Sequence, residues 1–130
     1  MLFRSSALSQ TVQDVSIAAW GDETHVVENR DAYRRKFAQV TPLLAEVLDV
    51  GLPDAAFYLW ADVSRTGLSD TAFAQALYAH SNVTVLPGSY LAREAHGVNP
   101  GRNHVRIALV ASVEECLEGA HRIVAFCKTL

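Results

Sequence analysis

The 130-residue sequence is poor in cysteine, lysine and long apolar runs, and it has no excess of positive charge. Two cysteines are too few for a disulfide framework, which excludes the small disulfide-stabilised secreted class. No apolar run approaches the roughly 18 residues of a membrane span, and the first residues lack the apolar core of a signal peptide. A net charge of −3 gives no basic surface for nucleic acid or an anionic membrane. We therefore expect a cytoplasmic protein that binds neither nucleic acid nor membrane.

Motifs that would identify a self-contained catalytic centre are also missing. There is no glycine-rich phosphate loop and no Gly-x-Ser-x-Gly nucleophile elbow. No metal-ligand spacing is found among the five histidines, so we predict no metal site. These are His25, His80, His96, His104 and His121. His96 and His104 bracket a polar loop, where they are either solvated or close to a site.

Helical periodicity accounts for the first third of the chain. Residues 5–20 have a helical apolar stripe that Gly21 ends, and the candidate N-caps are Ser5, Ser6 and Ser9. A longer helix is predicted from about Asp22 to Leu48, with a kink or break near Thr41 because Pro42 removes a backbone donor. Its expected buried stripe is Val26, Tyr33, Phe37, Val40, Leu44 and Val47. Its expected solvated face is Glu28, Arg30, Asp31, Arg34, Arg35 and Lys36.

Two more helices have clear start signals. A short one begins at Ser69 or Asp70 and stops at Asn82. Its expected inward side chains are Phe73, Ala76, Leu77 and His80. The last opens at a capping box, with Ser112 at the N-cap and Glu115 three residues later. Its expected buried side chains are Cys116, Ala120, Ile123 and Cys127, and the two thiols are too far apart to bridge.

Three short strands lie between these helices, at residues 55–63, 83–86 and 104–110, with a Pro87-Gly88 turn after the second. A polar loop over residues 94–103 joins the last two strands without a helix, so they cannot form a parallel crossover unit. We predict one domain over residues 1–130 with an α+β two-layer fold. Its small, mostly antiparallel three-stranded sheet has helices packed on one face.

Arg106 is the residue that points most directly to chemistry. It is the one charge in the apolar run Val105–Val110. A charge there is costly unless it is paired or faces a ligand. One interpretation is an edge-strand arginine that points to solvent or pairs with an acid of its own chain. The other is an arginine on a rigid strand that binds a carboxylate through two parallel hydrogen bonds.

Three motifs, read in order, resemble the C-terminal part of fold-type I, pyridoxal-phosphate-dependent aminotransferases. They are Pro53-Asp54-Ala55-Ala56-Phe57-Tyr58-Leu59-Trp60, then Val83-Thr84-Val85-Leu86-Pro87-Gly88-Ser89-Tyr90, then Val105-Arg106-Ile107-Ala108-Leu109. The segment 19–26 and the loop 93–103 look like one branch, the bacterial succinyldiaminopimelate aminotransferases. The resemblance covers about residues 8–126 and implies the small domain of such an enzyme. The family usually has a glycine where this chain has Asp54-Ala55-Ala56, so that turn is expected to differ locally.

The resemblance implies roles for particular residues. Arg106 matches the arginine that grips the substrate α-carboxylate, which favours the second interpretation above. Ser89, Tyr90 and Arg102 would lie near the site entrance. Arg102 or Arg93 would either meet a distal succinyl carboxylate or remain exposed loop cations.

The resemblance also implies what this chain lacks. The family holds pyridoxal phosphate on a lysine, and neither Lys36 nor Lys128 is in a suitable context, so no catalytic residue is assigned here. We expect residues 1–21 to be the crossover helix from a missing large domain and residues 22–130 to be the small-domain body. The parent enzyme would bind pyridoxal phosphate with its amino-acid and 2-oxo-acid substrates, and would be a homodimer. The chain alone is expected to bind no cofactor and to be inactive. The alternative is a non-catalytic ligand-binding or oligomerisation module.

Overall fold

The computed structural model describes residues 8–130 of the chain. Two compact units are present, Met1–Ala32 and Tyr33–Leu130. The helices are α1 (Gln10–Gly21), α2 (Thr24–Ala45), α3 (Asp70–Ser81), α4 (Gly88–Leu91) and α5 (Val113–Cys127), with a 3₁₀ turn at Ser64–Thr66. The strands are β1 (Tyr58–Asp62), β2 (Leu86–Pro87) and β3 (His104–Ala108). No helix among residues 8–130 is both long and apolar enough to cross a membrane.

Helix α1 of the first unit ends at Gly21, as predicted. The Ser9 hydroxyl caps it by accepting a hydrogen bond from the Val12 amide at 3.4 Å. The other predicted caps, Ser5 and Ser6, lie outside the described residues. No residue of α1 is buried, so the predicted apolar stripe is exposed.

Helix α2 corrects two expectations. It runs through Pro42, so the break predicted near Thr41 is absent, whereas the kink stays a prediction. The hydrogen bond that proline forfeits lies in the last turn, next to the buried Val40 and Leu44. Lys36 is only 8% exposed, so its place on a solvated face was wrong. Its amine donates to the Leu109 carbonyl at 2.9 Å.

The sheet has the order β1-β3-β2 with both pairs antiparallel, as predicted, but its strands are shorter. The edge strand β2 has only two residues, and residues 83–85 lie outside it. Pro87 lies in this edge strand, where a missing amide donor is tolerated, and Gly88 begins the short helix α4. The predicted Pro87-Gly88 turn is therefore a strand-to-helix junction.

Local signals placed α3 and α5 correctly. The Ser69 hydroxyl accepts from the Ala72 amide at 3.2 Å, and Asn82 ends α3 in the left-handed conformation with a φ of 51°. Both hydrogen bonds of the capping box that opens α5 are present. His80 was expected to point inward but is exposed, because it lies in the last turn of α3. The centre of its ring lies 5.4 Å from that of Phe126.

The core lies on one face of the sheet. Every second strand residue is buried there, namely Leu59, Ala61, Val105 and Ile107. They share one apolar cluster with side chains of α2, α3 and α5, among them Leu44, Phe73, Leu77 and Ile123. The other strand residues form what we call the open face, which is only partly covered: Tyr58, Trp60, Asp62, His104, Arg106 and Ala108. The α+β fold with an antiparallel three-stranded sheet is thus as expected.

Candidate functional site on the open face of the sheet

Arg106 lies at the middle of the central strand. It pairs with Trp60 of β1 on one side and with Leu86 of β2 on the other. Since side chains alternate along a strand, the burial of Val105 and Ile107 in the core directs Arg106 to the open face. The expectation of an edge strand was wrong, because β3 is the central strand of the sheet.

The guanidinium of Arg106 has an unmet hydrogen-bonding capacity. Its Nε is buried and has no hydrogen-bond partner. Its Cζ lies 5.4 Å from the centre of the Tyr58 ring, a cation–π distance. No carboxylate within residues 8–130 forms an ion pair with it. An arginine held by an aromatic ring with an unsatisfied donor is suited to accept a carboxylate from outside the chain.

Beside Arg106, Trp60 and His104 form a stacked pair. Their ring centroids are 5.6 Å apart and their planes differ by 15°. His104 Nδ1 lies 2.9 Å from the Arg102 carbonyl oxygen, so this nitrogen carries the proton. His104 Nε2 lies 3.9 Å from a carboxylate oxygen of Asp62. Hydrogen bonds from Ser64 hold the pKa of Asp62 below its usual value, so this carboxylate is charged at neutral pH.

The junction after β2 fits against the loop before β3 through two glycines. A Cβ on Gly88 would collide with the Gly101 carbonyl, lie 2.8 Å from the His104 carbonyl oxygen and lie 2.9 Å from the outer edge of Trp60. A Cβ on Gly101 would in turn meet the Gly88 backbone and lie 2.9 Å from the Ala92 Cβ. The glycines permit a close backbone approach that no other residue allows.

Buried Asp70 connects the same two segments. It is 3% exposed, and its carboxylate accepts from the Ser89 amide at 2.9 Å and from the Asn103 amide at 3.4 Å. Burial raises the pKa of Asp70, but hydrogen bonds from Ser89 and Asn103 outweigh it, so its pKa lies below the usual value. The Asn99 side chain adds a bond to the Ser89 carbonyl at 3.1 Å. The backbone around Ser89 and before β3 is therefore fixed.

The remaining sequence-predicted residues lie near this junction with different exposure. Ser89 is half-buried and contributes its backbone to the network just described. Tyr90 is 74% exposed. Arg102 and Arg93 are exposed loop residues. Their predicted contacts with a substrate remain predictions.

Sequence reasoning missed Asp70 and Trp60 as parts of this region, and it left open whether His104 is solvated or close to a site. Asp70 was considered only as a helix cap, and its amide partners lie 19 and 33 residues away. The strand alternation of Tyr58-Leu59-Trp60-Ala61-Asp62 against His104-Val105-Arg106 could have placed Trp60 and His104 on the face of Arg106.

The described residues do not fit pyridoxal phosphate on their own. Such a cofactor needs an available amine, whereas the Lys36 amine is bound to the Leu109 carbonyl and lies 4.8 Å from the Tyr33 ring centre. The other lysine, Lys128, is exposed in the last turn of the chain. Within residues 8–130 no group of three metal-ligating side chains is found either.

A family model, a related sequence and a solved structure that match this chain all represent aminotransferases. A family model described as aminotransferase class I and II matches residues 1–123. The transaminase BacF of Bacillus subtilis is 32% identical over 113 residues, which cover 85% of this chain and 27% of that protein. A crystal structure of an aminotransferase from Neisseria meningitidis is 49% identical with a TM-score of 0.86, over 95% of this chain and 31% of that one.

A third match carries a more specific description. A probable N-succinyldiaminopimelate aminotransferase from Thermus thermophilus is 34% identical with a TM-score of 0.59, over 73% of this chain and 24% of that one. The chain thus spans less than a third of the length of each of these proteins.

Proposed function

Since the chain belongs to the class I and II aminotransferases, we propose that it is the C-terminal part of a pyridoxal-phosphate-dependent aminotransferase and that Arg106 binds the substrate α-carboxylate. The observation that carries this role is the guanidinium on the open face, with a buried Nε that has no partner. A carboxylate would satisfy that donor and a second N–H of the same fork in a bidentate pair.

Within such an enzyme this chain would orient the substrate. The family's cofactor supplies an electron sink for the bonds at the substrate Cα when it is bound. Arg106 would fix the carboxylate, and so the direction of the Cα substituents, because its strand is paired on both sides and its guanidinium lies against Tyr58. Tyr58, on whose ring the guanidinium lies, would exclude water from the ion pair, which strengthens it.

We further propose N-succinyldiaminopimelate as the amino donor, which would place the parent enzyme in the diaminopimelate route to lysine. The similarity to the Thermus thermophilus protein and the loop 93–103 support this assignment. The exposed cations Arg93 and Arg102 on that loop would meet the distal succinyl carboxylate. The chain alone would hold no cofactor and would not transaminate.

The carboxylate role can be tested on the isolated chain. We would follow the Arg106 Nε–H resonance while adding acetate, alanine or succinate, and compare Arg106→Gln with the exposed control Arg65→Gln. We expect dissociation constants of roughly 1 mM or weaker, because one charge-assisted pair at a partly exposed site contributes only a few kcal/mol. Loss of binding in Arg106→Gln alone supports the role. Equal binding by wild type and Arg106→Gln contradicts it.

Inactivity can be tested separately. Pyridoxal phosphate is added to the chain, followed by borohydride, and the mass and absorbance are recorded. We expect no covalent cofactor adduct on either lysine. A stoichiometric adduct on Lys36 would overturn the proposal that the cofactor-holding lysine lies outside this chain.

The exposed apolar side chains of α1 favour self-association, which fits both the expected homodimer and the alternative function as an oligomerisation module. Helix α1 exposes large apolar side chains, with Ile17 at 71% and Trp20 at 84%. Such side chains gain stability when a second copy covers them. Sedimentation of the wild type against Trp20→Lys distinguishes the cases: a dimer that the substitution dissociates supports self-association through α1, and a wild-type monomer at high concentration excludes it.

A further inference from the structure

The indole of Trp60 lies across the open face of the sheet. It starts on β1 opposite Arg106, stacks on His104 of the central strand, and its Cη2 lies 2.9 Å from where a Cβ on Gly88 would be. Trp60 is half-buried. The ring therefore occupies space that a side chain at position 88 would otherwise fill.

We infer that this ring is the wall of the Arg106 site that contacts the aliphatic part of a bound acid, and that His104 is the residue that positions it. The inference rests on the proposed carboxylate role of Arg106. It goes further because it assigns selectivity for the acid's carbon chain to two residues that touch no carboxylate.

The geometry supports a wall beside the cation. Trp60 leans towards His104, whereas the guanidinium of Arg106 leans towards Tyr58, with its Cζ 5.4 Å from that ring. Two side chains that start from directly paired positions thus diverge in opposite directions along the strands. The open face of the sheet thus carries a charged donor and an apolar ring at neighbouring positions. A carboxylate on the donor would direct its chain along the ring.

Both ring nitrogens of His104 have a polar neighbour that fixes the position of the imidazole. Its Nδ1–H donates to the Arg102 carbonyl at 2.9 Å, and its Nε2 is 3.9 Å from the carboxylate of Asp62. That carboxylate is itself fixed, because it accepts from the Ser64 amide at 2.7 Å. A fixed imidazole stacked at 15° leaves the indole little freedom to rotate away from the site.

The experiment compares acids of increasing chain length on the isolated chain. Acetate, butanoate and hexanoate are titrated while the Arg106 Nε–H and the Trp60 indole N–H resonances are recorded. The variants are Trp60→Ala, His104→Ala and His104→Phe, and the controls are Tyr78→Ala and His121→Ala, both at exposed positions. Unfolding curves of every variant establish that the site is measured in folded protein.

We expect each added methylene to raise the wild-type affinity about twofold, since one wall covers about half of its surface, which gives about 16-fold from acetate to hexanoate. In Trp60→Ala and His104→Ala this ratio should fall below about threefold, with acetate binding little changed. His104→Phe keeps the stacking and should retain the wild-type ratio. The Trp60 indole resonance should shift with hexanoate far more than with acetate.

The outcomes separate this inference from the function on which it rests. If acetate binds through Arg106 but the ratio of hexanoate to acetate affinity is the same in wild type and Trp60→Ala, then Trp60 does not contact the acid's carbon chain. The carboxylate role of Arg106 stands in that case. If His104→Ala keeps the ratio, His104 does not position the ring. If no acid binds in an Arg106-dependent way, both fail. If Trp60→Ala does not fold, the inference is tested by comparing His104→Ala with His104→Phe and by the shift of the Trp60 indole N–H resonance in the wild type.

Discussion

Replacing the buried carboxylate of Asp70 tests whether it holds the candidate site together. Asp70→Ala removes the acceptor of the Ser89 and Asn103 amides and leaves both donors without a partner. It also removes a negative charge from the first turn of α3, where the helix dipole favours one. The segments that carry Ser89 and lead into β3 would lose their common anchor.

The expected cost follows from these contacts. A hydrogen bond to a charged group contributes about 1.5–3 kcal/mol, and the longer bond to Asn103 contributes less than that. With the helix-dipole contribution, Asp70→Ala should lower the free energy of unfolding by about 3 kcal/mol, or the melting temperature by about 10 °C. Asp70→Asn should fall between this variant and wild type. The exposed Asp54→Ala serves as the control and should change stability by less than about 0.5 kcal/mol.

The same residue predicts a pH dependence. The folded-state pKa of Asp70 lies below its ordinary value of 3.8, since the bonds from Ser89 and Asn103 outweigh the effect of burial. Its stabilisation is therefore fully present above that ordinary value and is lost as the pH falls through the lower folded-state pKa. Urea unfolding should show a gap between wild type and Asp70→Ala that is constant near neutral pH and closes in acid. A gap below about 1 kcal/mol at neutral pH, or one that persists after acidification, would refute the reasoning.

Four further substitutions test the backbone and the core. Lys36→Met should lower the free energy of unfolding by about 1–2 kcal/mol, because the Leu109 carbonyl loses its partner while the apolar stem is kept; no loss in urea unfolding contradicts this. Gly88→Ala should cost about 1–3 kcal/mol from backbone overlap, whereas Gly119→Ala, which has open space inside a helix, should stabilise by about 0.5–1 kcal/mol; equal effects on the melting temperature would count against the close approach. Ala56→Gly should stabilise by about 1 kcal/mol, because Ala56 has a φ of 107°, and calorimetry that shows destabilisation excludes backbone strain there.

Local signals in the sequence were enough to place several elements. The capping box at Ser112 and Glu115, the left-handed stop at Asn82 and the cap at Ser69 depend on residues within four positions of each other, so the sequence displays both partners. The single charge in an apolar run was enough to single out Arg106, and the structure places it on the central strand and on the open face. Ala56 has a positive φ, a conformation that suits the glycine usual in the family, and the expected local difference of this turn stays a prediction.

Partners distant in the sequence account for what could not be predicted. Lys36 looked like one more charge on a helix surface, and only the carbonyl 73 residues later explains its burial. The length of β2 depends on how many residues of the segment 83–87 form backbone pairs with β3. A run of apolar and β-branched residues does not determine that number. The stacking of Trp60 on His104 likewise needs the strand register, which strand propensity does not give.

Buried Lys36 and half-buried Arg106 differ in what satisfies the cation within the chain. Each lies against a tyrosine ring, with its cation 4.8 Å or 5.4 Å from the ring centre. The Lys36 amine also reaches the Leu109 carbonyl, so its partial dehydration is offset within the chain. Arg106 Nε has lost water without gaining an acceptor. An incoming carboxylate would gain a charge-assisted hydrogen bond of about 1.5–3 kcal/mol at Arg106 but would have to break an existing one at Lys36, which supports the proposal that an acid binds at Arg106.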